Sequence, residues 1–163
     1  MKKRLKKILI INILLIFFDF LTKQLIKHYF YKIPFFKIKI IDNFFNIVLV
    51  ENKGIAFGFL HELKGNLKNI FLIYLPLVIV IIILLYLTYV KKISKLSFWG
   101  LNLIISGAIG NLIDRYFYGY VIDFIDLYYK NFHWPAFNLA DTYITIGAFL
   151  LIFDALFSKR RNN

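Results

Sequence analysis

The chain has 163 residues, of which 60% are hydrophobic and 18% are charged. Soluble domains average about 45–50% apolar and about 25% charged residues, so this composition argues against a soluble protein. About 20 apolar residues make one membrane-spanning helix, and four such helices with their connections account for a chain of this length. The sequence therefore predicts a single membrane domain over residues 1–163.

Four segments in chain order are long enough to cross a bilayer: 8–27, 69–90, 96–114 and 138–157. The second contains no charged residue, and the third contains only Asp114, at its end. The first and last contain acidic side chains that need a partner or a function at membrane depth. These segments predict an all-α polytopic membrane protein with four transmembrane helices.

The net charge of +12 is concentrated beside these segments. Eleven Lys and Arg residues fall in the short stretches 1–7, 91–95 and 158–163, against eight in the longer stretches 28–68 and 115–137. Basic residues accumulate in short cytoplasmic loops, so both termini are expected in the cytoplasm. Charge placed beside spans, rather than along one amphipathic face, argues against a nucleic-acid partner.

The connection over about 34–60 has the pattern of a β-hairpin. Residues 36–41 and 45–50 are rich in β-branched and aromatic residues, and Asp42 and Asn43 between them favour a turn. We therefore expect a small extramembrane β-sheet on the outer face of the membrane.

The sequence contains no cysteine, which excludes a disulfide framework, a thiol nucleophile and a cysteine-based metal site. It also lacks the patterns His-Glu-x-x-His and Gly-x-x-x-x-Gly-Lys-Ser/Thr, which bind zinc and phosphate. Any chemistry is therefore expected from carboxylates, with no metal and no cofactor.

Several polar residues in the spans have structural explanations. Asp19 and Lys23 stand at i and i+4, where we expect an ion pair that tethers helices. Asp154 is near the inner surface, where a solvated carboxylate is expected. Asn111 is an amide within an apolar helix, so it must find a partner and can orient one.

Asp123 and Asp141 are the candidates for chemistry. Asn138 and Asp141 suit the N-cap and the third position of the last helix, and capping alone could account for Asp141. Asp123 precedes Asp141 by 18 positions, so the third and fourth helices could bring the two together at one depth. Two carboxylates in contact share a proton, which leaves one as general base and the other as general acid.

These residues leave three functions open: a hydrolase, a small ion-coupled transporter and a non-enzymatic assembly partner. A proton or cation path in the transporter would use Asp19, Lys23 and Asp141.

Five ordered motifs point to the hydrolase: Asp19-Phe-Leu-Thr-Lys23, Asn52-Lys-Gly-Ile-Ala-Phe57, Gly110-Asn-Leu-Ile-Asp-Arg115, Gly119-Tyr-Val-Ile-Asp-Phe124 and Phe137-Asn-Leu-Ala-Asp141. With them, nearly the whole chain resembles the bacterial lipoprotein signal peptidases. These membrane aspartyl peptidases remove signal peptides from prolipoproteins after a diacylglyceryl group is attached to a cysteine. Each motif is weak alone, but the five in order on four spans are specific.

The resemblance implies a catalytic pair, Asp123 and Asp141, in the bacterial cytoplasmic (inner) membrane, with the site toward the outer face. It implies lipid-modified prolipoproteins and membrane lipid as partners, and no obligate protein partner. Further residues are implied to bind substrate or support the site: Asn52, Gly54, Asn111, Arg115, Asn138 and Ala140. Arg115 is expected to brace either Asp114 or a substrate carbonyl, and Asp19, Lys23 and Asp114 are implied to be structural.

Three positions differ from the pattern expected of the family: Phe20, Glu51 and Ser106. None belongs to the carboxylate pair, so they bear on substrate preference rather than on activity.

Overall fold

The computed structural model describes residues 2–32, 37–54 and 66–158. The described helical elements are α1 (Lys2–Phe30), α2 (Asn66–Asn69), a π-helical turn (Ile70–Tyr74), α3 (Leu75–Tyr89), α4 (Lys95–Tyr118) and α5 (Leu139–Ser158). The strands are β1 (Lys37–Ile41), β2 (Phe45–Asn52), β3 (Val121–Tyr129) and β4 (Phe132–His133).

The four predicted spans are confirmed as helices. Among the described residues, four helical stretches are long and apolar enough to cross a membrane: Lys2–Phe30, Leu67–Tyr89, Lys95–Tyr118 and Leu139–Phe157. The first starts earlier than predicted, because the basic residues before Ile8 continue the helix. α4 is bounded by local signals, since Ser94 accepts a hydrogen bond from the Ser97 amide and Gly119 ends the helix at a φ of 76°.

The predicted hairpin is present and belongs to a larger sheet. β1 pairs antiparallel with β2 across the expected turn, where Asn43 adopts a positive φ of 55°. The predicted residues 34–36 and 55–60 of this connection lie outside the described residues. The strand order is β1-β2-β3-β4, so the sheet also recruits the chain between α4 and α5. No strand was predicted in this segment, although Val121 to Tyr129 is rich in β-branched and aromatic residues.

α4 lies at the centre of the bundle and packs against α1, α3 and α5. Its contact with α5 is the most extensive and depends on small residues. A Cβ added to Gly107 would lie 2.3 Å from the carbonyl oxygen of Ala140, and one added to Gly147 would lie 2.6 Å from that of Gly100. Only glycine permits these backbone approaches. They fix the first turn of α5 against α4, next to the polar site.

A polar cluster joins α1 to α4 within the bundle; we call Asn12, Asn102 and Ser106 the amide cluster. The Asn12 amide donates to Asn102 Oδ1 at 2.7 Å, and the Ser106 hydroxyl donates to Asn12 Oδ1 at 2.7 Å. The remaining donor of Asn102 bonds the Phe98 carbonyl at 2.7 Å. All three side chains are buried, and their polar groups satisfy one another or the helix backbone.

Candidate active site

A buried ion cluster lies where α1 and α4 meet the sheet; we call Asp19, Lys23 and Asp114 the charged cluster. The Lys23 ammonium lies 2.8 Å from Asp19 Oδ2 and 3.0 Å from Asp114 Oδ2, and all three side chains are at most 1% exposed. The expected pairing of Asp19 with Lys23 is therefore confirmed. Among the described residues Lys23 is the cation within ion-pair distance of Asp114, and Arg115 is not.

The charged cluster also fixes two neighbouring chain segments. Asp19 Oδ1 accepts a hydrogen bond from the Ala140 amide at 2.9 Å, at the start of α5. Asp114 Oδ2 accepts one from the Ile122 amide at 3.1 Å, in β3. These bonds to ionised acceptors are the stronger kind. They anchor the two elements that carry Asp141 and Asp123.

Two asparagines connect the charged cluster to both carboxylates. The side-chain nitrogen of Asn111 donates to Asp141 Oδ1 at 2.8 Å. The Asn111 side-chain oxygen lies 3.2 Å from the Lys23 ammonium and 3.2 Å from the side-chain nitrogen of Asn138, Nδ2. Asn138 donates to Asp123 Oδ1 at 2.7 Å. A partner for Asn111 was predicted, and Asp141 is one. The side chain of Asn138 links Asn111 to Asp123.

Asn138 and Asp141 form a reciprocal cap at the start of α5. The backbone N–H of Asp141 donates to Asn138 Oδ1 at 2.9 Å, and the backbone N–H of Asn138 donates to Asp141 Oδ2 at 3.2 Å. This is the capping-box arrangement, which satisfies backbone donors at a helix start. The predicted capping is confirmed, and the bond from Asn111 shows that Asp141 also faces other partners.

Asp123 lies on strand β3 and Asp141 lies on helix α5. The expectation that two helices bring the carboxylates together was therefore wrong for Asp123. The antiparallel register pairs Val50 with Asp123 and Asn52 with Val121. Asn52 then donates to Asp123 Oδ2 at 2.8 Å, and its oxygen accepts from the Gly54 amide at 3.0 Å. The β2–β3 pairing therefore places Asp123 and Asn52 beside the start of α5, where Asn138 contacts Asp123.

Asp123 is 1% exposed, and its neighbours are polar rather than hydrocarbon. Burial, and next the charge of Asp141, raise the pKa of the Asp123 carboxyl from 3.8 to about 7. The hydrogen bonds from Asn52 and Asn138 act in the opposite direction but are outweighed. Such a carboxyl is partly protonated near neutral pH, and in that state it can donate a proton.

A cavity of about 450 Å³ opens beside this arrangement. Asp141 is half-buried and lines the cavity, whereas Asp123 lies behind Asn52. Arg115 also lines it, and its guanidinium forms no ion pair within 4.0 Å among the described residues. The expected site residues Asn52, Gly54 and Asn111 line the cavity as well. The rest of the wall is mostly apolar: Val121, Trp134, Pro135, Ala136, Phe137, Ile144 and Ile146, with Thr142 and Thr145.

Two parts of this wall were not predicted as site residues from the sequence: the α5 residues that follow Asp141, and the segment between β4 and α5. Thr142, Thr145 and Ile146 follow Asp141 by one, four and five positions, so part of the wall is the helical face that Asp141 already marked. Phe137 opens the motif that ends at Asp141 but was not named as a site residue, whereas Trp134 lies in an irregular segment that gave no signal of this kind. Ala140, an expected site residue, contributes its backbone amide to Asp19 and its fully buried methyl to the packing under Gly110.

Two other acidic residues lie away from the cavity. Asp126 accepts from Asn46 at 2.6 Å and lies 2.7 Å from His133 Nδ1. Burial raises its pKa, but these contacts outweigh burial and hold the pKa below 3.8. Asp154 accepts hydrogen bonds from Ser94 and Ser97, a pair of partners that the sequence did not suggest.

Four membrane-length helices and a pair of carboxylates that both contact Asn138 are the features of a membrane protein with a buried polar site. The family model for signal peptidase (SPase) II matches residues 11–157, and the chain belongs to this family of aspartic-type peptidases. This family match supports neither the ion-coupled transporter nor the non-enzymatic assembly partner.

Similar proteins match between three quarters and nearly all of this chain. The chain is 40% identical over 156 residues to a lipoprotein signal peptidase of Francisella tularensis subsp. novicida (strain U112), which covers 96% of this chain and 95% of the relative. It is 45% identical over 122 residues to one of Cupriavidus pinatubonensis, covering 75% and 68%. A bacterial membrane enzyme solved by the in meso method at 2.3 Å matches with a TM-score of 0.80 and 28% identity, covering 97% of this chain and 92% of that one.

Proposed function

We propose that this membrane peptidase removes the signal peptide from diacylglyceryl-modified prolipoproteins by cutting just before the lipidated cysteine. The activity class follows from the family, and the substrate follows from the relatives that carry the name lipoprotein signal peptidase. The observation that carries the mechanism is the bridge through Asn138, which contacts both Asp123 and Asp141 beside a cavity.

In this mechanism the two carboxylates divide the proton work. Asp141 stands in the first turn of α5, where the helix dipole favours a negative charge, so it is the initial base. Asp123, with its pKa near 7, is the initial acid. Asp141 takes a proton from water as the oxygen attacks the scissile carbonyl carbon, and Asp123 gives its proton to the leaving nitrogen as the C–N bond breaks. A later proton transfer from Asp141 to Asp123 restores the starting state.

Asn52, Asn111 and Asn138 position this pair, because each donates a hydrogen bond to one of its carboxylates. The donors fix the carboxylate planes before substrate arrives, and such preorganisation is a major source of rate. Arg115 is the cation of the cavity wall, so its guanidinium is placed to bind a substrate carbonyl and the oxyanion that develops there.

The lipid part of the substrate accounts for the apolar wall. The scissile bond needs polar groups, which the cavity has in Asp141 and Arg115, and Trp134, Phe137 and Ile146 add hydrocarbon contact in the same cavity. A diacylglyceryl group held in the bilayer would reach this wall from the side of α5 and bring the peptide bond to the depth of the carboxylates.

The proposed orientation places both termini in the cytoplasm and the sheet with the site at the outer face of the cytoplasmic membrane. The basic stretches 1–7 and 91–95 support this arrangement. Because the chain has no cysteine, single introduced cysteines report the side directly. Asp42→Cys should react with a membrane-impermeant maleimide in intact cells, and Lys3→Cys should react only after lysis. The reverse pattern contradicts the orientation.

The function is tested with purified chain in detergent and one prolipoprotein in lipidated and unlipidated forms. Loss of the signal peptide from the lipidated form alone is the expected result, read as a mobility shift and by mass of the cleaved product. Cleavage of both forms at equal rates would remove the lipid from recognition. Absence of cleavage by a folded protein contradicts the proposal.

A further inference from the structure

A second cavity, of about 420 Å³, lies at the end of the bundle opposite the sheet. Its walls come from the first turns of α1, from the α3–α4 connection and from the start of α4. Arg4 ties two of these walls together by donating a hydrogen bond to the Val90 carbonyl. None of the residues placed in the peptidase site lines this cavity.

Four basic side chains converge on this cavity: Lys3, Arg4, Lys7 and Lys95. Lys3 and Lys7 stand at i and i+4 on α1, a spacing at which like charges repel. No carboxylate of the described chain lines the cavity. Asp154 does not line the cavity, although it accepts a hydrogen bond from Ser94, which does. The cavity therefore concentrates positive charge that an anion would neutralise.

The apolar part of the wall suits a lipid rather than a free ion. The Lys7 ammonium lies 5.0 Å from the ring centre of Phe98 and 5.7 Å from that of Trp99, and Ile93 completes the surface. Trp99 is 45% exposed at the end of a membrane-length helix, where tryptophan typically meets lipid headgroups. Cations and an aromatic surface thus meet at one rim.

Membrane topology alone does not explain this arrangement. Orientation depends on how many basic residues flank a span, and it does not require that side chains from separate segments surround one cavity. The neighbouring residues Lys2, Lys6 and Lys92 satisfy the topology rule equally well and do not line the cavity. Basic pockets between helices on the cytoplasmic side are typical sites for anionic lipid headgroups.

We propose that the cavity lined by Lys3, Lys7, Lys95 and Trp99 binds the phosphate of an anionic phospholipid from the adjoining leaflet. The ammonium groups contact the phosphate oxygens, while Trp99 and Ile93 contact the glycerol and the first acyl carbons. The site is separate from the peptidase site and does not depend on the proposed cleavage reaction.

The test measures lipid binding to the purified full chain by native mass spectrometry and by the shift in melting temperature. Phosphatidylglycerol, phosphatidylcholine and diacylglycerol with the same acyl chains are compared, together with inorganic phosphate. The variant Lys3→Gln/Lys7→Gln/Lys95→Gln is set against Lys2→Gln/Lys6→Gln/Lys92→Gln, which removes the same charge at the same end. Lys95→Gln alone serves if the triple variant does not fold.

Phosphatidylglycerol should bind the unaltered chain and the control at least about tenfold more tightly than it binds the cavity variant, and the single variant should lose about fivefold. Phosphatidylcholine and diacylglycerol should bind all forms weakly and equally. Equal loss in the control would show that only total charge matters and would overturn the proposal. So would equal binding of the three lipids, or full competition by millimolar inorganic phosphate.

Discussion

Two polar clusters lie within the helix bundle of this molecule, and they differ in whether the groups they hold border an accessible cavity. The amide cluster is neutral, and none of its members lines either of the two cavities described above. The charged cluster holds Asp123 and Asp141 through asparagines, and Asp141 and Arg115 reach a cavity. A polar residue in a membrane is usually taken as functional. Here the distinguishing features are a carboxylate pair and an accessible space beside it.

The largest effect expected from this comparison is on cleavage. Asp123→Asn and Asp141→Asn should each lower the rate by about 10²–10⁴-fold, because each removes one proton-transfer group. The measurement is accumulation of uncleaved, lipidated prolipoprotein in cells and the rate with purified enzyme. Asp126→Asn is the matched control, since Asp126 lies outside the cavity, and it should process normally. Normal processing by either of the first two variants removes that residue from the mechanism.

The charged cluster should also dominate stability. Lys23→Met leaves Asp19 and Asp114 buried without their cation, a change that typically costs about 3–5 kcal/mol. The free energy of unfolding is measured by titration with a denaturing detergent. Adding Asp19→Asn and Asp114→Asn to Lys23→Met should recover part of the loss, because no unpaired charge then remains. A loss below about 1 kcal/mol in the single variant would show that the ion pairs do not hold the bundle.

The raised pKa of Asp123 predicts a pH-dependent cost in stability. Between pH 3.8 and about 7 the folded carboxyl holds a proton that the unfolded chain has released, so folding stability falls as pH rises through this window. Asn cannot titrate. Asp123→Asn should therefore match the wild type near pH 4 and exceed it at pH 8 by on the order of a few kcal/mol. The unfolding free energies of both proteins are compared across this range.

Asp126→Asn gives the control of opposite sign. The pKa of Asp126 lies below its usual value, so its carboxylate stabilises the fold above pH 3.8 and loses this effect as pH falls through its folded pKa. This variant should be less stable than the wild type at pH 8. If both variants respond to pH in the same direction, the assigned pKa shifts are wrong.

The smallest effect is expected in the amide cluster. Ser106→Ala leaves Asn12 Oδ1 without its hydroxyl donor and should cost about 1 kcal/mol, with cleavage unchanged within about twofold. Asn111→Ala is the matched change on the same helix, and it should slow cleavage because Asp141 loses a donor. Unfolding free energy and cleavage rate are measured for both. A similar loss of activity in the two variants would abolish the distinction between the clusters.

Local sequence patterns predicted much of the fold and only part of the site. The Asp19–Lys23 pair and the Asn138 cap depend on spacings of three or four residues within one helix, so they were predictable. The contact of Asn52 with Asp123 joins positions 71 apart, and that of Ala140 with Asp19 joins positions 121 apart. No local period encodes such contacts. The roles of the site residues stay predictions until the variants are measured.

The sequence by itself determined the four spans, because the length, apolarity and charge of one continuous segment decide whether it can cross a bilayer as a helix. It also determined the hairpin, through alternating side chains and turn residues, and it marked the acidic residues by motif. Only the tertiary structure decided that β3 joins the sheet, that Lys23 serves two carboxylates and that a cavity opens beside Asp141. The reason is physical: a buried charge selects its partner from whatever the packed helices and strands bring within hydrogen-bond distance, and that set exists only after folding.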